Sequence, residues 1–139
     1  MPFAAALTAA ALAVAATSAE AGVRDQIISQ INSVRSGNHL HAVHFSERLA
    51  RGAAAWARAL VRRNVLEHSS TAVNRGEGEI IEWHTGSRAF VSRTVSEWWN
   101  SLEHRRVMLG RDYRHAGAGR AVGDMGGRIC TIWVVRFAR

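Results

Sequence analysis

The sequence predicts an α+β domain, because segments with helical spacing of apolar residues precede a late β-hairpin. The chain has 139 residues, the length of one domain. It is 47% hydrophobic and 21% charged, which is typical of a folded domain and not of a disordered one. A chain of this size can therefore build its own core.

Two amphipathic helices are predicted in the first half. The first covers about residues 23–35, where apolar residues recur at helical spacing: Val23, Ile27, Ile31 and Val34. The second begins after Ser46, a suitable N-cap before the acidic Glu47, and ends near Asn64. Its predicted inner face consists of Leu49, Ala53, Trp56, Ala57 and Leu60. We therefore expect Leu49, Trp56 and Leu60 to be buried together.

The middle of the chain predicts a loop, a strand and further helix. Residues 67–78 are polar and predict a loop, whereas residues 79–83 predict a short strand. Ser87 is the predicted cap of a third helix, and residues 104–109 predict another helical turn. The apolar residues expected on the third helix are Phe90, Val91, Val95, Trp98 and Trp99.

A β-hairpin is predicted at the end of the chain. Residues 116–122 and 128–137 flank a five-residue, glycine-rich loop. The nearly continuous apolar run in the last segment predicts a central strand that is buried on both faces. Cys130 lies in this run and is expected to be a buried, unreactive thiol. As the single cysteine, it excludes an internal disulfide and a cysteine-rich zinc site.

The N-terminal segment predicts a secretory signal peptide over residues 1–21. Residues 2–19 carry no charge, and the apolar run within them is too short to span a membrane. Ala19 and Ala21 fit an A-x-A cleavage motif, and a cut after Ala19 also fits. The alternative interpretation is a buried alanine-rich helix. With cleavage, the mature protein starts at Glu20 or Gly22 and is periplasmic or secreted.

The charge pattern argues against specific binding of nucleic acid. The net charge is +7, and all eighteen basic residues are arginine. These arginines are scattered along the sequence, whereas a specific nucleic-acid binder concentrates them on one face. Loose attraction to anionic envelope polymers or lipid head groups fits the charge better.

Four residues are candidates for a chemical site: His68, Glu79, Ser101 and His104. Ser101 and His104 are three residues apart, so a helix would put them on one face together with Glu97. Two imidazoles and a carboxylate can hold a metal with open positions, as in catalytic zinc sites. A metal-free cluster of hydrogen bonds is the alternative, since periodicity alone does not bring His68 near His104.

A second histidine cluster consists of His39, His41 and His44. Three histidines within six residues could bind a transition metal weakly, although their spacing matches no tight metal motif. The sequence contains no H-E-x-x-H, G-x-S-x-G, P-loop or G-x-G-x-x-G motif.

The order of the motifs resembles the CAP superfamily, the secreted domain of cysteine-rich secretory proteins, venom allergens and plant pathogenesis-related proteins. The most specific match is the block at residues 95–109, which is similar to the bacterial pattern W-x-x-S-x-x-H-R. Residues 78–83 resemble the family's G-E-N-I segment, with Ile80 in place of asparagine. Further matching segments lie at residues 31–35, 49–57 and 134–137.

This resemblance implies a three-layer α-β-α sandwich over residues 22–139, with a short, mainly antiparallel sheet and a central cleft. It places His68, His104 and Glu79 in the cleft, with Ser101 where animal and plant members have a second acid. The implied function is that of a binding module for a lipid, a sterol, or an envelope or host ligand.

The resemblance also leaves a metal-dependent hydrolase or peptidase open as the alternative. In that version, His68 and His104 hold Zn²⁺ and Glu79 is the general base, or His104 activates Ser101. No transmembrane span is expected after removal of the signal peptide.

Overall fold

The computed structural model describes the backbone of residues 3–139 and the side chains of residues 18–139. Residues 1 and 2, and the side chains of most of the predicted signal peptide, lie outside this description. The elements in chain order are α1 (Phe3–Gly37), β1 (His44–Phe45), α2 (Glu47–Arg63), α3 (Ser70–Asn74), β2 (Gly78–Thr85), α4 (Val91–Asn100), α5 (Leu102–Met108), β3 (His115–Asp124) and β4 (Ile129–Ala138). Within the described part of the chain, no helix is long and apolar enough to cross a membrane.

The four strands form one mainly antiparallel sheet in the order β1-β3-β4-β2. Only the short β1 runs parallel to its neighbour, β3. The predicted hairpin is confirmed as β3 and β4, and β4 is the predicted inner strand with buried residues on both faces. Cys130 is buried in β4, as expected.

The sheet lies between two helical layers, which confirms the α-β-α sandwich. Trp133, Val135 and Phe137 of β4 belong to a core cluster with residues of α1, α4 and α5. Ile132 and Val134, on the opposite face of β4, pack with α2. The alternation of side chains along β4 therefore divides the core into two halves.

Helix α2 packs directly against the backbone of β3, and two glycines make this approach feasible. A Cβ atom at Gly117 would overlap the backbone of Leu49 and Ala50, and one at Gly119 would overlap the backbone of Ala53 and Ala54. These glycines are therefore required by close packing and not by a turn.

The predicted bounds of α2 are confirmed. Ser46 Oγ accepts a hydrogen bond from the Leu49 amide, and Asn64 ends the helix in the left-handed conformation. Leu49 and Leu60 are buried, but the expected full burial of Trp56 is wrong. Trp56 is half-buried because its indole N–H donates to the Glu67 carbonyl at 3.0 Å, which keeps the ring near the surface.

Three other segments differ from the sequence prediction. Helix α1 begins at Phe3, about twenty residues before the amphipathic stretch. The polar segment predicted as a loop contains α3, because Ser69 Oγ caps it through the Ala72 amide. Ser87 does not cap α4, which begins only after Phe90. Phe90 has a left-handed backbone, and its side chain is exposed.

A buried arginine at the end of α1 fixes the position of α5. Arg35 donates to the carbonyls of Met108 and Gly110, each at 2.9 Å, and to that of His41 at 3.0 Å. Burial, with a smaller contribution from Arg114, lowers the pKa of Arg35 below its ordinary value. These bonds hold the C-terminal end of the short helix that carries His104.

Candidate functional site

His68 and Glu79 are in direct contact. His68 lies between α2 and α3, and its Nδ1 is 3.0 Å from Oε1 of Glu79. The same oxygen accepts a hydrogen bond from the Ser69 amide at 2.9 Å. The His68 side chain is 58% exposed, whereas that of Glu79 is 3% exposed. A buried carboxylate therefore anchors an imidazole that reaches solvent.

Arg136 is the third member of this arrangement. It pairs with Glu79 in the register of β2 and β4, and its Nε donates to Oε2 of Glu79 at 3.0 Å. The Arg136 side chain is 5% exposed and lies below α2, next to Gly52. Both carboxylate oxygens of Glu79 are thus occupied by donors from the protein.

The contact with Glu79 determines the tautomer of a neutral His68. A carboxylate accepts hydrogen bonds, so Nδ1 carries the proton and donates. The lone pair is then on Nε2, the nitrogen that does not face Glu79. A carboxylate that orients an imidazole in this way is the usual outer partner of a metal-ligating histidine.

His104 lies on the wall of the same cleft as His68. The cleft has a volume of about 190 Å³, and its other walls are formed by Leu66, Glu67, Ile81 and Trp83. Among the described residues, no group hydrogen-bonds the buried Nδ1 of His104. The cleft therefore combines two imidazoles with an apolar wall.

Ser101 and Glu97 do not join this cleft. Ser101 has an extended backbone between α4 and α5, so Glu97, Ser101 and His104 are not on one continuous helix. Glu97 therefore does not share a helical face with Ser101 and His104, which lie in the first turn of α5. Glu97 is exposed and pairs with Arg93 at 3.4 Å. Among the hydrogen bonds of residues 18–139, none joins Ser101 to His104.

The second histidine cluster lies outside the cleft of His68 and His104. His39, His41 and His44 are all exposed. Within the described residues, no group of three or more histidine, cysteine or acidic side chains could hold a metal ion. This finding does not support the weak metal binding that the sequence left open for these histidines. Among the described residues, the cleft likewise shows no third histidine, cysteine or acidic group arranged with His68 and His104 to hold a metal.

Arg136 is the residue of the candidate site that the sequence interpretation missed. A signal was present, since a charged residue in a strand predicted to be buried on both faces requires a partner. The identity of that partner depends on the pairing of β2 with β4, which the sequence does not specify.

The three-layer sandwich defines a class of protein, and the sequence comparison agrees with it. The family model for the cysteine-rich secretory protein family, CAP, matches residues 28–137. The chain belongs to this family. It has a single cysteine, so it lacks internal disulfides.

Solved structures of low sequence identity share the fold. An extracellular protein with an SCP domain from Bacillus anthracis is 22% identical, with a TM-score of 0.68 over 86% of this chain and 41% of that chain. An outer surface protein of Borrelia burgdorferi is 19% identical, with a TM-score of 0.59 over 79% of this chain and 86% of that one. The structure of NaASP2 with Zn²⁺ is 15% identical, with a TM-score of 0.67 over 84% of this chain and 78% of that one.

These similarities establish the fold and no more. This chain spans less than half the length of the Bacillus anthracis protein. No curated protein sequence matches the chain significantly.

Proposed function

We propose that the protein is an exported binding module whose cleft between His68 and His104 binds a divalent transition metal such as zinc. The observation that carries this proposal is the hydrogen bond between His68 Nδ1 and Glu79, at 3.0 Å. It fixes the imidazole in the tautomer that offers Nε2 as a ligand. His104 lines the same cleft and supplies the second imidazole.

The donor set fits a weakly held metal with open positions. Glu79 is not a ligand in this proposal, because His68, Ser69 and Arg136 occupy both of its oxygens. Structural zinc sites use four protein ligands, whereas two imidazoles leave positions for water or a ligand. A bound metal would supply Lewis acidity in the cleft, and His68 and His104 would hold it there.

The environment of Glu79 favours binding over hydrolysis. A general base must approach the water that it deprotonates, with an oxygen free to accept the proton. Glu79 is buried, and each of its oxygens already accepts a bond from the protein. Ser101 lacks a hydrogen bond to His104 within the described part of the chain, which also disfavours it as a nucleophile. Glu79 is thus a positioning residue for His68.

The walls of the cleft indicate the kind of ligand. Leu66 and Trp83 are exposed hydrophobic residues, and both line the cleft beside His68. A ligand with an apolar part would cover these side chains, and a polar part would reach the imidazoles. A lipid, a sterol, or an apolar component of the envelope or of a host has this chemistry.

Export is part of the proposal. The composition of residues 1–21 supports a cleaved signal peptide, and the related folds include an extracellular and an outer surface protein. Mass spectrometry of the exported protein is expected to find Glu20 or Gly22 at the N-terminus. An exported, membrane-free chain that retains residues 1–19 would contradict the cleavage.

Calorimetric titration with zinc tests the metal site. We expect wild-type protein to bind about one zinc ion, and the double variant His68→Ala/His104→Ala to lose this binding. Because only neutral imidazole is a ligand, acidification should weaken the binding in the wild type.

The matched control is the triple variant His39→Ala/His41→Ala/His44→Ala, which removes the exposed histidines and keeps the cleft. It should bind zinc as the wild type does. Equal binding by wild type and the double variant, or no binding by the wild type, would refute the metal site. Chelator-sensitive cleavage of secreted proteins that requires Glu79 would favour the hydrolase instead.

A further inference from the structure

Strand β2 forms one edge of the sheet, and its outer side faces the cleft of His68 and His104. The sheet order puts β4 on one side of β2 and none of the described strands on the other. Ile81 and Trp83 of β2 line the cleft. His68 follows α2, whereas His104 is on α5, whose Met108 packs in the opposite layer. The cleft therefore lies along the outer edge of β2, between the two helical layers.

The pairing of β2 with β4 shows which backbone groups of β2 point outward. The amide of Gly86, directly after β2, donates to the Ile129 carbonyl at 2.7 Å and continues the register of the two strands. In an antiparallel pair, alternate residues exchange hydrogen bonds with the partner strand. The even-numbered residues of β2 therefore bond to β4, and Ile81, Trp83 and Thr85 direct their amides and carbonyls outward.

This outward row of backbone groups lacks partners in another strand. The Trp83 amide donates at 3.0 Å to Oε1 of Glu82, the side chain of its own neighbour. Among the described hydrogen bonds, none satisfies the outward groups of Ile81 and Thr85 or the carbonyl of Trp83. Glu79 is buried, so the open stretch begins at Ile81. An open edge of this kind is a template for another extended chain.

Two cavities flank this edge at Trp83. The histidine cleft lies on one side and has an apolar wall. On the other side, a cavity of about 210 Å³ is lined by polar side chains, among them Glu82, Arg93 and Glu97. A strand added beside β2 would point alternate side chains to the two faces of the sheet. Apolar side chains would then lie at the cleft, and polar ones at the second cavity.

We propose that the outer edge of β2 binds an extended peptide by strand addition, and that the peptide has alternating apolar and polar side chains. The peptide backbone pairs with the outward groups of Ile81, Trp83 and Thr85 and displaces Glu82 from the Trp83 amide. A lipid or a sterol lacks the regular row of donors and acceptors that this edge requires. The inference goes beyond the metal site proposed above and does not depend on it.

Nuclear magnetic resonance titration of nitrogen-15-labelled protein with acetyl-Thr-Val-Thr-Val-Thr-Val-amide tests the proposal. A chelator is present throughout, so a failure of the metal site does not affect the result. We expect the amide signals of residues 81–85 to shift on addition of the peptide. The rearranged peptide acetyl-Thr-Thr-Thr-Val-Val-Val-amide should bind about threefold or more weakly, because its side chains do not alternate.

Backbone N-methylation of the peptide is the most direct test of strand pairing. Alternate residues of an added strand face β2, so only one set, the threonines or the valines, donates hydrogen bonds to it. Methylation of that set should weaken binding about tenfold or more, and methylation of the other set less than about threefold.

Trp83→Pro removes an outward donor, and Trp83→Ala is the matched control because it retains the amide. Proline is tolerated at an edge position whose N–H faces away from the sheet. Trp83→Pro should bind the peptide about threefold or more weakly than Trp83→Ala, with the folding of both verified by the melting temperature.

Three results would overturn the proposal. The first is the absence of shifts at residues 81–85 when the wild type is titrated with the alternating peptide. The second is an equal effect of methylating the two sets of residues. The third is a change of the same signals on dilution of the protein without peptide, which would assign the edge to a second copy of the chain.

Discussion

Replacement of Glu79 by glutamine is expected to lower the free energy of unfolding by about 3–5 kcal/mol. Arg136 is buried beside Glu79, and its Nε donates to Oε2 at 3.0 Å. A neutral amide at this position leaves the buried Arg136 guanidinium without a counter-charge. Because the site is buried, water does not solvate the unpaired charge. Chemical denaturation of wild type and Glu79→Gln, monitored by tryptophan fluorescence, measures the difference.

Two further variants serve as controls for Glu79→Gln. The double variant Glu79→Gln/Arg136→Met removes the unpaired charge, so it should be more stable than Glu79→Gln alone. Glu97→Gln breaks an exposed ion pair with Arg93, and its effect should be below about 1 kcal/mol. Equal stability of Glu79→Gln and wild type would show that the carboxylate does not stabilise Arg136.

Gly119→Ala is expected to destabilise the protein by about 3 kcal/mol or more, the upper part of the range for an overpacked core. The new Cβ would overlap the backbone nitrogen of Ala54. A flexible side chain could move away, but here the helix backbone itself must shift from the sheet. The midpoint of thermal unfolding should fall by several degrees or more.

The control for this substitution is Gly37→Ala at the end of α1. A Cβ atom at Gly37 would meet no other atom within 4 Å. Its effect should stay within about 0.5 kcal/mol, as for an ordinary surface change. If Gly119→Ala melts at the wild-type temperature, α2 does not rest on the backbone of β3.

The sequence correctly predicted the elements that are defined by neighbouring residues. The N-cap at Ser46 and the left-handed Asn64 bound α2 where the sequence places them. The glycine-rich loop between β3 and β4 also forms as expected, because a hairpin depends on adjacent residues. Helix α3 was missed because its five residues carry too short a pattern to distinguish it from a polar loop.

The candidate site depended on contacts that are distant in sequence. His68 and Glu79 were identified as chemistry-bearing residues, but their contact requires the fold of α3 against β2. Glu97 does not share a helical face with Ser101 and His104, because the extended backbone of Ser101 separates α4 from α5. Arg136 was missed because the pairing register of β2 and β4 is a tertiary property.

The central claim is that His68 and His104 together form a metal site, and anomalous diffraction from a zinc-soaked crystal tests it most directly. We expect one zinc peak in the cleft, between the two imidazoles, with Glu79 still bonded to Nδ1 of His68. The peak should vanish in crystals of His68→Ala/His104→Ala. A zinc peak at His39, His41 and His44 with none in the cleft would contradict the account, as would a cleft peak that has Glu79 as a direct ligand.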